Sequence, residues 1–294
     1  MSSEPILPLT PGDHRRTLFH ENRERSYLIH VPATYDGSQP WPVVFAFHGG
    51  ATDAAAMVRF CGLNATADTS SFIVVYPNGT GRREHLFTWN AGTCCGYAMW
   101  NEVDDVGFVS QVIDQLAREA NIDLRRVFAA GMSNGAMLAY RLASELSHRI
   151  AAIAAIAGPM AMATCSPAQP VPIIHFHGTA DESAPFEGGI GTRSIAKVYK
   201  QSVATTIRNW CVANGCPVEP TVERLPMLHN DNMPVVKQVY GPGRSGSEIV
   251  LYVIENGGHT WPGLPPRVAF LGPCTQNISA NDLLWEFFRK HPRT

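Results

Sequence analysis

The chain has 294 residues, of which 45% are apolar, and it carries 23 basic and 25 acidic side chains. This length and apolar content can supply the core of one large α/β domain or of two smaller ones. Because the charges nearly balance and form no basic or acidic block, nucleic acids and anionic membrane surfaces are not expected as partners.

Strand-like and helix-like patterns alternate along the chain. Residues 26–31 alternate in polarity before Pro32, as in an early antiparallel strand, and residues 42–47 are apolar throughout, as in a central parallel strand. The remaining predicted elements are a helix at 54–60, a strand at 72–76, a long ordered loop at 80–102, a helix at 105–120, a strand at 127–130 followed by a helix to about 147, strands at 150–157 and 171–177, a helix at 194–212, strands at 235–240 and 248–255, and a helix at 282–290.

This alternation predicts the α/β class, with a mostly parallel central sheet covered by helices on both faces. No internal repeat, low-complexity tract or linker divides the chain. We therefore interpret residues 25–294 as a single domain without a large separate lid domain, preceded by an N-terminal extension, residues 1–24.

Residues 1–13 are polar and contain prolines, without the apolar segment of a signal peptide. As written, the chain is expected in the cytoplasm, and it is expected to be secreted if a signal segment has been removed ahead of Met1. The longest apolar stretch, 150–165, is too short to cross a bilayer and contains Gly158-Pro159.

The seven cysteines are more than a cytosolic enzyme of this length usually needs, and their odd number leaves the pairing open. Cys211 and Cys216 are close enough in sequence to bridge, and the neighbours Cys94 and Cys95 could each have a different partner. No CxxC pair and no regular Cys/His spacing indicates zinc.

The most informative stretch is Gly131-Met132-Ser133-Asn134-Gly135, which follows a buried strand and leads directly into a helix. This is the layout of a nucleophile elbow, in which a serine occupies a strained turn and glycines allow close backbone approach. The turn lifts the serine hydroxyl into a cleft at the positive end of the helix. A plain glycine-rich turn is the alternative, and the strand–helix setting favours a reactive Ser133.

Two further polar residues follow buried strands, Asp181 after 171–177 and His259 after 248–255. Ser133, Asp181 and His259 thus occur in the nucleophile, acid, histidine order of an α/β-hydrolase. The carboxyl ends of parallel strands meet at one edge of a sheet, so the three can converge there. His259 would take the proton of Ser133 and return it to the leaving alcohol, while Asp181 would stabilise the imidazolium.

Each assignment has an alternative. Asp181 could be a helix cap, and His259 could be an ordinary loop histidine. Two other carboxylates could then serve as the acid, Glu182 and Asp231. His175 and His177 share one strand face, and we interpret them as packing or hydrogen-bonding residues.

The oxyanion of an ester transition state needs backbone N–H donors. We expect one from Asn134, directly after the nucleophile, and one from the Gly49-Gly50 turn at the end of strand 42–47. His48 is expected to brace this turn. Asp105, which opens a helix, is expected to cap it or to bind the long loop near the site.

Four aromatic residues are candidates for an apolar surface that binds substrate: Trp261, Trp100, Trp89 and Phe186. Large aromatic side chains are also common in protein cores, so the alternative for these tryptophans is a packing role.

At these residues the sequence resembles the polyhydroxybutyrate depolymerase and feruloyl esterase group of α/β-hydrolases. The matching segments span about residues 27 to 290 and are His48-Gly49-Gly50, Cys94-Cys95-Gly96, Val103 to Phe108, Gly131 to Gly135, His177 to Asp181, Trp210 with Gly215-Cys216, and Gly258 to Gly263. The resemblance implies a single α/β-hydrolase domain and a serine carboxylic ester hydrolase that acts through an acyl-enzyme.

The resemblance also implies the substrates, which are feruloyl-type aromatic esters or short hydroxyalkanoate (polyester) esters, as small molecules or polymers. It places the nucleophile, acid and base on Ser133, Asp181 and His259, and it implies no metal and no organic cofactor. It does not indicate an oligomeric state.

Two other functions remain compatible with these residues. A peptidase or an acyltransferase could use the same triad, although no propeller or large lid is present to restrict access as many peptidases of this fold require. A catalytically silent hydrolase fold could serve as a binding module. Without selection for catalysis, however, sequence drift would be expected to replace at least one of Ser133, Asp181 and His259, and all three are present.

Overall fold

The computed structural model describes residues 8–265 and 268–294, so residues 1–7 of the predicted N-terminal extension lie outside the described part. Within these ranges, ten strands form one sheet in the order β1-β2-β4-β3-β5-β6-β7-β10-β9-β8. The strands are β1 (Gly12–His20), β2 (Arg23–Val31), β3 (Trp41–Phe47), β4 (Ile73–Pro77), β5 (Ile122–Met132), β6 (Ala152–Ile156), β7 (Ile173–Gly178), β8 (Thr221–Arg224), β9 (Val235–Tyr240) and β10 (Ile249–Ile254).

The α-helices of the described residues are α1 (Ala54–Cys61), α2 (Leu63–Ser70), α3 (Gly96–Trp100), α4 (Asp105–Glu119), α5 (Asn134–Glu145), α6 (Val203–Asn214) and α7 (Ala280–Lys290). None of these helices is long and apolar enough to cross a membrane.

The centre of the sheet is parallel, and its two ends are antiparallel. Strands β4, β3, β5, β6, β7 and β10 run parallel to one another, while β2 with β1 at one end, and β9 with β8 at the other, extend the sheet by antiparallel pairing. The central strands are buried on both faces, which explains why their sequences are apolar throughout. The predicted α/β architecture, with a mostly parallel sheet and helices on both faces, is confirmed, and no separate lid is evident in residues 8–265 and 268–294.

Two hydrophobic cores lie on opposite faces of the sheet. One contains the buried sides of α4, α5 and α6, with residues such as Phe108, Leu138 and Trp210. The other contains the buried sides of α1, α2 and α7, with residues such as Met57 and Leu284. The helices therefore cover both faces, and the carboxyl ends of the parallel strands share one edge between the two layers.

The structure corrects three details of the predicted elements. Residues 12–20, which the sequence analysis placed in an extension, form the edge strand β1, paired with β2 along its length. An edge strand has only one partner and half-exposed side chains, so no apolar run marks it. The helix predicted at 194–212 begins only at Val203, where Ser202 caps the backbone N–H of Thr205. The short elements α2 and β8 also have no clear sequence pattern.

The cysteines pair differently from the open possibilities in the sequence. Cys94 and Cys95 are joined to each other, within the loop that precedes α3. Cys211 and Cys216 are both free and buried.

A buried ion pair ties the edge of the sheet to α4. The guanidinium of Arg25 in β2 donates to Asp105 Oδ1 at 2.7 Å and lies 4.0 Å from the centre of the Phe108 ring. Burial raises the pKa of Asp105, and the charge of Arg25 opposes that shift. The other oxygen of Asp105 accepts the backbone N–H of Asn90 at 2.8 Å. Asp105 therefore holds the long loop as well as β2.

We expect Arg25→Met to lower the free energy of unfolding by about 3–5 kcal/mol, because it leaves the Asp105 carboxylate buried without its charged partner. Urea denaturation followed by circular dichroism measures this change. The matched control is Arg224→Met, which removes the exposed pair between Arg224 and Glu255 and should change stability by about 1 kcal/mol or less. Equal losses in the two variants would contradict a structural role for the Arg25–Asp105 pair.

Candidate active site

The elbow at Ser133 has the strained geometry that its sequence predicts. Ser133 joins β5 to α5 with φ 56° and ψ −118°, a conformation that L residues rarely adopt. A methyl group on Gly131 would lie 2.3 Å from the carbonyl of Gly135, and one on Gly135 would lie 2.3 Å from the Phe47 oxygen. Both glycines are therefore required by close backbone contact rather than by chance composition.

Asp181 and His259 form a buried pair at the carboxyl edge of the sheet. His259 Nδ1 lies 2.7 Å from Asp181 Oδ2, and both side chains are almost fully buried. Asp181 Oδ1 accepts the backbone N–H groups of Ser183 at 2.8 Å and Ala184 at 2.7 Å. Burial opposes ionisation, but His259, with further help from His177, holds the pKa of Asp181 well below its usual range.

The two alternative acids are engaged elsewhere. Glu182 is half-exposed and pairs with Arg193 at 2.8 Å. Asp231 accepts hydrogen bonds from Thr275, from the backbone of Gln276 and from Asn277, so it organises the loop before α7. Neither carboxylate is bonded to His259, which leaves Asp181 as its partner among the described residues.

Ser133 itself is half-buried, and in the described part of the chain no hydrogen bond joins its hydroxyl to His259. Hydrogen bonds between nucleophile and base are often long in enzymes without substrate and tighten when substrate binds. In this structure Asp181 and His259 are therefore hydrogen-bonded to each other but not to the Ser133 hydroxyl. All three follow strands, β5, β7 and β10, that end at the same edge of the sheet.

The Gly49-Gly50 turn lies against the elbow because β3 pairs with β5, with Phe47 opposite Gly131. A methyl group on Gly49 would lie 3.6 Å from Ser133 Cβ, and one on Gly50 would lie 3.8 Å from Asn134 Cβ. The backbone N–H of Asn134, at the start of α5, has no acceptor within the helix. The backbone N–H groups expected from the sequence to bind an oxyanion thus lie in neighbouring turns, and their role stays a prediction.

His48 braces this turn with both ring nitrogens. Its Nδ1 lies 2.6 Å from the Gly49 carbonyl oxygen, and its Nε2 accepts the backbone N–H of Gly79 at 3.0 Å. The carbonyl can only accept, so Nδ1 carries the proton and the ring is neutral. Burial lowers the pKa of His48 to about 4, although the bond to Gly49 opposes the shift.

Trp89 is not a substrate-binding residue in this structure, contrary to one reading of the sequence. Its ring is fully buried against Phe47, and its Nε1–H donates to the His48 carbonyl at 2.9 Å. Its backbone exchanges two hydrogen bonds with the side chain of Asn134, of 2.7 and 3.1 Å. Trp89 therefore fixes the oxyanion turn and the start of α5 instead of forming an aromatic surface.

The other aromatic candidates divide by exposure. Trp261 is buried, with its Nε1–H donating to Asn281 Oδ1 at 2.8 Å, so it too packs in the core rather than facing substrate. Phe186 is half-buried, with the edge of His177 against its ring. Trp100, at the end of α3, is 73% exposed and is the candidate of the four whose ring faces solvent.

A cleft of about 490 Å³ opens beside the acid–base pair, and the sequence analysis did not identify it. Its wall includes His259 and Asp181, together with Arg193 and Phe270. Ser133 is not part of this wall, so the cleft extends from the side of the base and not from the nucleophile. Arg193 lies in a loop, and Phe270 lies 77 residues later in a short 3-10 helix, Ala269–Leu271. The Arg193 guanidinium donates to the Phe270 carbonyl, and no local sequence signal marks either residue.

Among the residues that the structure describes, one group of side chains converges closely enough to hold a metal ion: His20, Glu21 and Asp104. His20 is already engaged there, with Asp104 Oδ2 at 3.0 Å and Gln111 Oε1 at 2.8 Å. The group lies at the β1–β2 turn and the start of α4, and it shares no residue with the proposed triad.

Comparison with known proteins identifies the family of this chain. The family described as Esterase PHB depolymerase matches residues 25–204. NocK of Nocardia uniformis subsp. tsuyamanensis, which is named as an esterase, is 30% identical over 280 residues, which are 90% of this chain and 79% of NocK. Feruloyl esterase C of Emericella nidulans is 26% identical over 271 residues, 90% of this chain and 83% of that protein.

Among solved structures, the acetyl xylan esterase from Aspergillus awamori superimposes with a TM-score of 0.64 at 15% identity, covering 94% of this chain and 99% of that one. At this identity the likeness shows the fold, which is that of an α/β-hydrolase. Family match, relatives and fold agree, and the chain belongs to the Esterase PHB depolymerase family of carboxylic ester hydrolases.

Proposed function

We propose that Ser133, Asp181 and His259 are the nucleophile, acid and base of this ester hydrolase, and that it acts through an acyl-enzyme. The observation that carries the proposal is the buried 2.7 Å contact between Asp181 and His259 at the same sheet edge as the strained Ser133. A buried carboxylate that orients an imidazole is what activation of a serine requires.

In the acylation step, His259 Nε2 takes the proton of Ser133 as Oγ attacks the ester carbonyl carbon. The carbonyl oxygen becomes an oxyanion, which accepts hydrogen bonds from the backbone N–H groups of Asn134 and the Gly49-Gly50 turn. When the intermediate collapses, the bond to the alcohol oxygen breaks, and His259 returns the proton to the departing alcohol.

In the deacylation step, water replaces the alcohol. His259 removes a proton from the water, the hydroxide attacks the acyl carbon, and the proton returns to Ser133 Oγ as the acid product leaves. The low pKa of Asp181 keeps its carboxylate ionised throughout, so it stabilises the imidazolium that forms in each step.

For the substrate, we propose feruloyl-type aromatic esters first and short hydroxyalkanoate esters second. The first is supported by the relative named feruloyl esterase C, and the second by the description of the family. The cleft beside His259 suits the alcohol part, since Arg193 and Glu182 offer charged partners for hydroxyl groups and Phe270 offers a half-exposed ring.

We expect Ser133→Ala to lower kcat for ester hydrolysis on the order of 10⁴-fold or more, because the nucleophile is lost while the oxyanion donors remain. Initial rates on p-nitrophenyl acetate, p-nitrophenyl octanoate, methyl ferulate and a hydroxybutyrate oligomer measure the loss and rank the acyl groups. Methyl ferulate should be hydrolysed fastest by the unchanged protein.

The matched control is Ser166→Ala, which removes an exposed serine hydroxyl. It should keep full activity and stoichiometric labelling by an organophosphate, whereas Ser133→Ala should lose both while its circular dichroism is unchanged. A folded Ser133→Ala protein that retains ester hydrolysis would refute the proposed nucleophile.

The neutral state of His48 links the oxyanion turn to pH. The pKa of His48 is about 4 in the folded protein and near 6.5 in an unfolded chain, so the unfolded state takes up the proton first as pH falls. The stability that this group contributes is therefore complete above pH about 6.5 and is lost between about 6.5 and 4. Its size is on the order of 3 kcal/mol.

We expect His48→Gln to lose less stability than the unchanged protein between pH 6.5 and pH 4.5, because an amide can donate to Gly49 and accept from Gly79 without titrating. Urea denaturation at a series of pH values measures, for each protein, how steeply the free energy of unfolding changes with pH. His229→Gln, at an exposed histidine, is the control and should follow the unchanged protein. Identical slopes for His48→Gln and the control would contradict the buried neutral imidazole.

A further inference from the structure

A continuous line of buried side chains leads from helix α5 to the triad acid. The Tyr140 hydroxyl lies 2.7 Å from His175 Nδ1, and His175 Nε2 lies 3.0 Å from His177 Nδ1. His177 Nε2 lies 2.7 Å from the Ala184 carbonyl oxygen and 3.4 Å from Asp181 Oδ2. All of these side chains are buried, and the proposed mechanism uses only the last carboxylate.

The Ala184 carbonyl, at the end of the line next to Asp181, determines which ring nitrogens of His177 and His175 carry protons. The Ala184 carbonyl can only accept, so His177 Nε2 carries a proton. With neutral rings, His177 Nδ1 must then accept from His175 Nε2, and His175 Nδ1 must accept from the Tyr140 hydroxyl. Burial, and then the neighbouring His177, lower the pKa of His175 well below its usual value, and burial raises that of Tyr140, which agrees with a neutral ring and a protonated phenol. Every donor in the line therefore points toward Asp181.

We propose that His177 is a positioning residue for the triad acid, and that Tyr140 and His175 hold it in the required tautomer. This inference rests on the proposed roles of Asp181 and His259. His177 binds the turn at Ala184, whose own N–H fixes Asp181 Oδ1, and its Nε2–H faces Asp181 Oδ2. Oδ2 is thus held between two imidazoles and directed at His259 Nδ1.

Packing alone does not account for this arrangement. The rings of His175 and His177 do stack, with centroids 5.3 Å apart, and the rings of His177 and Phe186 pack nearly perpendicular to each other. Apolar side chains of similar size could fill the same space without the cost of burying polar atoms. Each ring nitrogen instead has a polar partner, and the last one bonds the Ala184 carbonyl and contacts Asp181, the proposed acid.

The test is Tyr140→Phe, which removes one hydroxyl at the end of the line most remote from the triad. We expect kcat for p-nitrophenyl acetate to fall about 3- to 30-fold with KM unchanged, since one buried hydrogen bond is lost without contact to substrate. The proton between His259 Nδ1 and Asp181 Oδ2 should give a far-downfield NMR signal, and we expect the chemical shift of this signal to change in the variant.

The matched control is Tyr76→Phe, because the Tyr76 hydroxyl is bonded to Asn64 Oδ1 at 2.6 Å in the core on the opposite face of the sheet. It should lose comparable stability and keep both kcat and the NMR signal. The proposal would be overturned if Tyr140→Phe, like Tyr76→Phe, kept the kcat of the unchanged protein and the same NMR signal for the His259–Asp181 proton.

Substitution of His177 tests the residue itself. His177→Leu should lower kcat on the order of 100-fold, as expected when a catalytic group loses its alignment. His177→Gln keeps an N–H donor and should recover kcat to within about tenfold of the unchanged protein. Failure of glutamine to outperform leucine, with both proteins folded, would also overturn the proposal.

The experiments distinguish failure of this proposal from failure of the proposed triad. If Ser133→Ala retains activity, the triad itself is wrong. If Ser133→Ala is inactive while Tyr140→Phe and His177→Leu behave like the control, the triad stands and the positioning line does not.

Discussion

The position of Ser133, the proposed nucleophile, depends on how closely the start of α5 approaches the end of β3. Gly135 meets the backbone oxygens of Phe47 and His48 at distances that leave no room for a Cβ atom. This contact places an elbow residue and an oxyanion turn from neighbouring strands side by side. The strain at Ser133 persists because the surrounding backbone permits no alternative path.

Buried polar bonds, rather than apolar contacts alone, hold the irregular parts of the site in one conformation. The loop that follows β4 has little regular structure, yet Asn134 binds both backbone groups of Trp89, and Asp105 binds the backbone of Asn90. An unpaired polar group is costly in a low-dielectric interior, so a loop with these partners has few alternatives of similar energy. The oxyanion turn gains rigidity from the same bonds.

The central strands and the elbow could be predicted because their signals are local. An apolar run marks a strand buried on both faces, and the glycines around Ser133 mark a tight strand–helix turn. The convergence of Ser133, Asp181 and His259 could be expected because each follows a buried strand and parallel strands end at one edge of the sheet. The edge strand β1 has no such signal, because its side chains do not need to be apolar.

Residues whose surroundings come from distant parts of the chain could not be predicted. Trp89 and Trp261 are large aromatic residues near motifs, and only the fold shows that both rings are enclosed. The shared face of His175 and His177 was readable from their spacing, but Tyr140 reaches them from a helix 35 residues earlier than His175. Arg193 and Phe270 meet at the cleft for the same long-range reason.

The loop between β4 and α4 combines a fixed base with a free tip. Trp89 and Asn90 are bound to α5 and α4, whereas Trp100, ten residues later, presents its ring to solvent. A substitution at Trp100 can therefore change the chemistry of the protein surface without removing the hydrogen bonds that hold Trp89 and Asn90 in place.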